Sequence, residues 1–396
     1  MEDIMPPINP RESQYKIGIN STIPRIRGDL PIYEIVKFSD IIRYLKPENE
    51  DSPLKIILDK RPRDFDKQHR YVGETDAGFP RPYKSGIWFR GQSGLANPLT
   101  PSIFRKASTK SHFITFTDEK NSLSELRLRL GGDEFNSDFS TLCKLRHYSL
   151  PCRLLDWSES PSVALYLGLR EAIKNNDDAI FSILNVYRLN KLSSILGPDS
   201  NPGIFYPNHL DITLRSAMAS NMYWGDAIFH GIRDFLKYRD HKTTDIIKKI
   251  LTLLESNKQI SEEEKVLLEY LSMPVAVYPN RVDSRMIAQS STFTLHGGKK
   301  IYSRDIIKNE EQQELNERGI SKSFIYPPID LDIINVNAYI IDKRPFLVHV
   351  KISRNNISEL LDDLEMLGMD ESRLFVNTDS HIASVVKKWS VDISEV

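Results

Sequence analysis

Apolar residues at 38, 41, 42 and 45, within Phe38-Ser39-Asp40-Ile41-Ile42-Arg43-Tyr44-Leu45, recur at helical spacing and are followed by Pro47. That pattern predicts a short amphipathic helix with a proline stop. The run Lys55-Ile56-Ile57-Leu58 predicts a strand, and the charged, proline-containing span Arg61 to Ser85 a loop. Gly86-Ile87-Trp88-Phe89-Arg90-Gly91-Gln92 predicts a compact strand, and Pro98 to Arg105 a proline-bounded turn. Leu123, Leu126 and Leu130 among charges predict a helix over residues 121 to 131 with an exposed face; Phe139, Leu142, Cys143 and Leu145 predict another over 138 to 148. Leu150-Pro151 ends it, and Arg153 to Trp157 reads as a strand with polar ends.

Ser160 then supplies a helix cap and Pro161 a first position where a missing N–H costs nothing. From Val163 to Leu169 that helix is apolar nearly all round, interrupted only by Gly168, so it belongs in the core. Asp178 to Val186 predicts a strand. Residues 209 to 273 are helical in pattern, with Trp224, Ile228, Ile232 and Leu236 on one stripe and Ile246, Ile247, Ile250, Leu251, Leu253 and Leu254 on a second. Met286-Ile287-Ala288 and Phe293-Thr294-Leu295 predict buried strand segments, which makes Gln289 the odd polar group between them.

Composition narrows the partners. With 396 residues, 40% hydrophobic and 27% charged, the chain can bury a large core in two or three domains or one elaborated one. A net charge of −1 gives no global basic field, so a nucleic-acid partner would need a local patch or be a small substrate. Met1 to Pro7 lacks the features of a signal peptide, and no run approaches the ~18 apolar residues of a membrane span. A cytoplasmic location without membrane contact is the expectation. Two cysteines, Cys143 and Cys152, make no disulfide framework.

Chemistry concentrates in Arg146-His147-Tyr148-Ser149-Leu150-Pro151-Cys152-Arg153-Leu154-Leu155-Asp156-Trp157. Two arginines, a histidine and an aspartate stand there beside a run apolar enough to be buried, which is costly unless they are partnered. Cys143, His147 and Cys152 have a spacing a zinc site could use, yet no fourth ligand is evident, and no metal is assigned. Cys152 as nucleophile with His147 as base matches no familiar signature. Two readings remain: a polar network that holds the fold, or a pocket lined by Arg90, His147, Arg153, Asp156 and Trp157. Arg90 is either a salt-bridged strand end or an anion clamp, with Gln92 adding a donor and an acceptor. Asp156 and Trp157 fall where a strand meets a helix N-terminus, the end that attracts anions.

Several blocks in order resemble the FRG domain family, named for its Phe-Arg-Gly. They are Phe89-Arg90-Gly91-Gln92, Leu99-Thr100-Pro101-Ser102-Ile103-Phe104-Arg105, and the central stretch with Pro161 and Val163-Ala164-Leu165-Tyr166. Asn280-Arg281, Ala288 to Gly297 and the closing run from His349 to Phe375 extend the likeness over about residues 33 to 391. Arg146 stands where the family usually has Gln, Cys152 where it has Thr, and Ser290-Ser291-Thr292 where Gln and Gly are usual. The resemblance implies an α+β fold: a mixed central sheet flanked by helices, an inserted helical segment at about 209–273 and a C-terminal strand-helix-helix unit. Residues 1–32 would form an arm and 392–396 a tail.

The order of these elements also resembles ADP-ribosyltransferases. That resemblance implies NAD as substrate, with Arg90 on its pyrophosphate or ribose, Asp156-Trp157-Ser158 shaping the nicotinamide pocket and Gln289 where the late glutamate falls. It makes Arg90, His147, Asp156 and Gln289 the catalytic candidates, and Arg90, Gln92, Arg153, Trp157 and Ser158 the nucleotide-binding ones. Because Gln289 is no carboxylate, the base would come from Asp156 or His147. The acceptor would be a nucleic acid or a protein, as in a toxin or a phage-defence effector; the alternative is a nucleotide- or nucleic-acid-sensing module without catalysis.

Overall fold

The structure, a computed structural model, describes residues 33–46, 49, 52–57, 86–94, 99–104, 116–130, 138–147, 150–195, 205–207, 211–212, 214–216, 245, 248–249, 252, 273–281, 284–297, 299–300, 325–326, 331–332, 334–335 and 345–375. Its centre is a sheet of seven strands: β1 (Tyr33–Ile35), β2 (Ile87–Ser93), β3 (Leu154–Ser158), β4 (Ala179–Asn185), β5 (Val275–Val277), β6 (Ser291–Leu295) and β9 (Leu347–Ile352). They lie in the order β1-β9-β4-β2-β3-β6-β5. The β1–β9 pair is parallel and the other ladders of this sheet are antiparallel. A two-stranded ribbon, β7 (Lys299–Lys300) with β8 (Ile325–Tyr326), stands apart. The mixed sheet with helices on it is the α+β class the sequence implied.

The pleat divides the core. Ile87 and Phe89 of β2, Phe181 and Ile183 of β4 and Val348 and Val350 of β9 enter one apolar cluster; Trp88, Leu184 and Leu347, one residue out of step, enter the other. On the first face pack α1 (Phe38–Tyr44), α2 (Leu54–Ile57), α5 (Pro161–Asn175), α8 (Ile357–Met366) and α9 (Glu371–Leu374). On the second lie α6 (Val186–Ser193) and Leu331 and Ile334. Helices α3 (Phe116–Leu130) and α4 (Asp138–His147) precede β3, and the short α7 (Ser284–Ala288) precedes β6.

α5 begins as its sequence dictates: the Ser160 hydroxyl accepts from the Val163 amide, and Pro161 follows at the first position. The single gap in its apolar surface has a spatial cause. Gly168 lies directly on Gly91 of β2, and a Cβ at Gly91 would fall 2.0 Å from the Ala164 carbonyl oxygen and 2.7 Å from Gly168 Cα. A Cβ at Gly168 would fall 2.6 Å from Gly91 Cα. Main chain meets main chain, so neither glycine tolerates a side chain.

Two expected strands are helices. Around Lys55-Ile56-Ile57, Pro53 precedes α2 and the Ser52 hydroxyl accepts from the Leu54 amide, which starts a helical turn that a four-residue apolar run could not reveal. Met286-Ile287-Ala288 belongs to α7, with Met286 buried and Ile287 57% exposed, a one-sided burial that suits a helix. Gln289 and Ser290 form the turn into β6, Ser290 with a φ of 47°, so Gln289 is not on a strand. Elsewhere the predicted elements stand within a few residues, as α1, α3, α4, β2, β3 and β4. In α1 the buried side chains are Ile41 and Tyr44, while Ile42 is exposed. The arm at 1–32, the 61–85 loop and most of 209–273 lie outside the described residues; those described at 211–212, 214–216, 245, 248–249 and 252 are helical.

Replacing Gly168 or Gly91 with Ala should destabilise the protein by about 3 kcal/mol or more, at the upper end of overpacking costs, because neither colliding partner is a movable side chain. Lys174→Ala, on the exposed end of α5, should stay within about 0.5 kcal/mol. Urea denaturation of the three variants checks the ranking.

Candidate active site

Two arginines from different elements meet one aspartate where the sheet loosens. β2 and β3 are neighbours, yet they face each other in register at one pair, Phe89 with Ser158. By contrast β2 and β4 run in register from Ile87–Asn185 to Ser93–Ala179. Past Phe89, Arg90 supplies the link: its Nη1 donates to the Asp156 main-chain carbonyl at 2.8 Å and lies 3.9 Å from Asp156 Oδ2. Its Nε donates to Gln92 Oε1 at 3.4 Å.

From α4, Arg146 grips the Asp156 carboxylate with a fork. Nε donates to Oδ1 at 2.9 Å and to Oδ2 at 2.7 Å, and Nη2 donates to Oδ2. All three side chains reach solvent in part: 14% exposed for Arg90, 29% for Arg146 and 36% for Asp156. Partial burial works to raise the Asp156 carboxyl, but Arg146, through charge and hydrogen bonds, and then Arg90 hold it below the usual carboxylate range. The cluster is ionised at neutral pH and carries two positive charges against one negative.

Arg153, expected beside Arg90, lies elsewhere. It is fully buried, its Nε donates to Glu119 Oε2 at 2.6 Å, its amide to Glu119 Oε1 at 2.9 Å, and its two Nη atoms donate to the carbonyls of Arg215 and Ser216. Arg215 in turn bonds Asp211 and the carbonyls of Ser193 and Met273. Burial lifts Glu119 above its ordinary range against the pull of Arg153. These groups pin α3, β3 and the 211–216 segment together, with no exposed face for a ligand.

Trp157 is 3% exposed, its Nε1 donates to Thr294 Oγ1 at 3.1 Å, and its ring packs in the second cluster, so it belongs to the core rather than to a pocket lining. Ser158 is buried, donates to the Gln289 carbonyl at 2.7 Å and accepts from the Ser160 amide at 3.0 Å. Gln289 turns its side chain away to the Leu374 carbonyl, 3.2 Å from Nε2. Gln92 is buried beside Arg90. His147 closes α4, and its side chain lies outside the described residues. Burial pushes the Cys152 thiol up to about 12 and the Cys143 thiol well above its usual range, so neither is a thiolate at neutral pH.

Arg146 carries no signal in the sequence that sets it apart from its neighbours in the central stretch. Nor does any motif mark a cluster at the start of α5. There the Glu159 carboxylate accepts from Tyr278 Oη and from Arg281 Nη2, both at 2.6 Å, while Arg281 Nε donates to the Ser291 carbonyl at 3.0 Å. A carboxylate thus stands at the helix N-terminus expected to draw an anion, and its charge is already paired.

Residues 85–177 match the family model of the FRG domain. That segment runs from β2 through α5 and contains Arg90, Arg146 and Asp156, whereas Arg281 and Gln289 lie beyond it. No curated protein and no solved structure matches the chain. Among the described residues no helix is long and apolar enough to cross a membrane.

Two substitutions separate the clusters. Asp156→Asn should cost about 1 kcal/mol at neutral pH, less than a buried charged hydrogen bond, because the pair is partly in water. A carboxyl held low stabilises the fold above its unfolded pKa, so the difference from wild type should vanish as pH falls through the lowered value. Glu119→Gln, which leaves Arg153 buried without its counter-charge, should cost about 3–5 kcal/mol. Urea unfolding across a pH series reads both.

Proposed function

We propose that this chain, which carries an FRG domain between residues 85 and 177, binds NAD at the loosened junction of β2 and β3 and acts on it as an ADP-ribosyltransferase-like enzyme. The observation that carries the reading is the convergence of Arg90 and Arg146 on Asp156, all three partly exposed. A guanidinium pair of this kind suits a pyrophosphate, which accepts forked hydrogen bonds. Asp156, held ionised, suits the positive charge that grows on a ribose carbon as its bond to nicotinamide breaks. Arg146 and Asp156 are wired to each other, so a bound diphosphate would share the guanidiniums with the carboxylate and leave Asp156 facing the sugar.

One observation favours a second reading, a nucleotide-sensing module without turnover. Trp157 and Ser158, which the resemblance would set around nicotinamide, and Gln289, which it would set where the late glutamate falls, are all committed to internal hydrogen bonds. The acceptor in the enzymatic reading is a nucleic acid or a protein, in keeping with a toxin or phage-defence effector.

Calorimetric titration of the purified chain with NAD should give saturable heat, and Arg90→Ala and Arg146→Ala should each weaken binding about tenfold or more, the loss of one charge-assisted contact. Asp156→Asn should keep binding but lose nicotinamide release, followed by chromatography. Binding without release by the wild type would favour the sensor, and no heat at all would remove NAD from both readings.

A further inference from the structure

The end of α8 departs from the rule that a surface helix turns its apolar residues inward. Ile357, Leu360 and Leu364 are buried in the first core cluster, as the 3.6-residue period requires. Met366, the last residue of the helix, and Leu367, which caps it, are instead 79% and 63% exposed. Closing the helix does not call for them. Gly368, with a φ of 77°, donates its amide to the Glu365 carbonyl, and the Met369 amide donates to the Leu364 carbonyl. The apolar contact that accompanies such a turn is made by Met369, which packs against the first cluster. Two large apolar side chains are thus left side by side in water.

The outer side of the same helix is acidic. Glu359, Asp362 and Glu365 are exposed and Asp363 is half-buried. Among the described residues none of these four carboxylates has a hydrogen-bond or ion-pair partner, and no basic residue stands in the last turn. They follow one another at spacings of three and four, where like charges repel, and Asp363 and Glu365 also oppose the negative end of the helix dipole. The cations beside this end are engaged: Arg170 pairs with Glu371 at 2.9 Å, and Arg373 Nη1 donates to the Gly368 carbonyl at 3.1 Å. The helix therefore carries both repulsion and exposed apolar surface that a partner of opposite charge would relieve.

We propose that Met366 and Leu367, rimmed by Glu359, Asp362, Asp363 and Glu365, form a docking surface for a basic amphipathic segment of another protein, one that presents an apolar stripe flanked by lysines or arginines. Charge selects this occupant. A second copy of the chain docking by the same face would set carboxylates against carboxylates, and nucleic acid or an anionic membrane would meet the same repulsion. The flexible Met366 side chain adapts to the apolar stripe of its partner, while the carboxylates steer the cationic segment in and fix its register. The inference is independent of the NAD reading.

Fluorescence anisotropy of the full chain with a labelled helical peptide of leucine and lysine, apolar along one face, reads the docking. Wild type should bind it saturably. Met366→Ser with Leu367→Ser should weaken binding about 30-fold, the worth of a central apolar anchor. Replacing the four carboxylates by amides (Glu359→Gln, Asp362→Asn, Asp363→Asn and Glu365→Gln) should weaken it about tenfold, mainly through slower association, and remove most of its salt dependence. Asp245→Asn, an exposed carboxylate elsewhere, should stay within about twofold. A urea midpoint shared with wild type shows that each variant is folded. Binding that ignores the Met366 and Leu367 changes, or that a peptide of equal charge with serine in place of leucine matches, is charge attraction alone and overturns the proposal. A wild type that does not bind the peptide overturns it too. So does self-association of the wild type, seen by sedimentation and lost in Met366→Ser, which makes the surface an interface between copies.

Discussion

The contact between Gly91 and Gly168 governs the arrangement of this chain. A helix normally rides about 10 Å above a sheet on its side chains, and here two residues without side chains let the main chains of α5 and β2 touch. Since β2 is the strand that presents Arg90, and only two residues separate the end of β3 from the start of α5, the same contact fixes the heights of both partners of the Arg90–Asp156 pair. Gly91 must point at the helix, so Arg90 and Gln92, on either side of it, must point to the other face. The three residues Phe-Arg-Gly thus do three jobs by alternation: Phe89 fills the first core cluster, Arg90 enters the site and Gly91 admits the helix.

Arginine serves two ends in this fold, and burial tells them apart. Arg153 and Arg215 are fully enclosed, and carboxylates and main-chain carbonyls satisfy their guanidiniums. Desolvating a guanidinium is tolerable only with that number of partners, and the outcome is a rigid pin joining segments distant in sequence. Arg90 and Arg146 remain partly in water around one carboxylate. Ser182 of β4, His349 of β9 and Asp332 form a hydrogen-bonded line on the face of Trp88, Leu184 and Leu347.

Much of the fold could be read from the chain because its strongest signals are local. Period-3.6 and period-2 patterns located α1, α3, α4, α5, β2, β3 and β4, and Ser160-Pro161 announced the start of α5. Apolar runs of three or four residues failed at α2 and α7, since a short run fits either period and the neighbouring Ser52, Pro53 and exposed Ile287 decided the outcome. The location of a polar site in the 146–157 stretch was equally local, being a conflict of charge and hydrophobicity within a dozen residues.

What only the tertiary structure decided was the division of labour among those charges. Arg146 and Arg153 lie seven positions apart and look alike in sequence, yet one meets Asp156 at the sheet gap and the other Glu119 in the interior. His349 and Asp332 sit in unremarkable surroundings along the chain and acquire meaning only where strand pairing lays His349 beside Ser182. The sequence by itself determined the elements, the burial of α5 and the stretch where chemistry concentrates, because those follow from side-chain period and capping. Which guanidinium reaches water and which histidine finds a carboxylate depend on contacts between residues tens to hundreds of positions apart, and such contacts exist only once the sheet has formed.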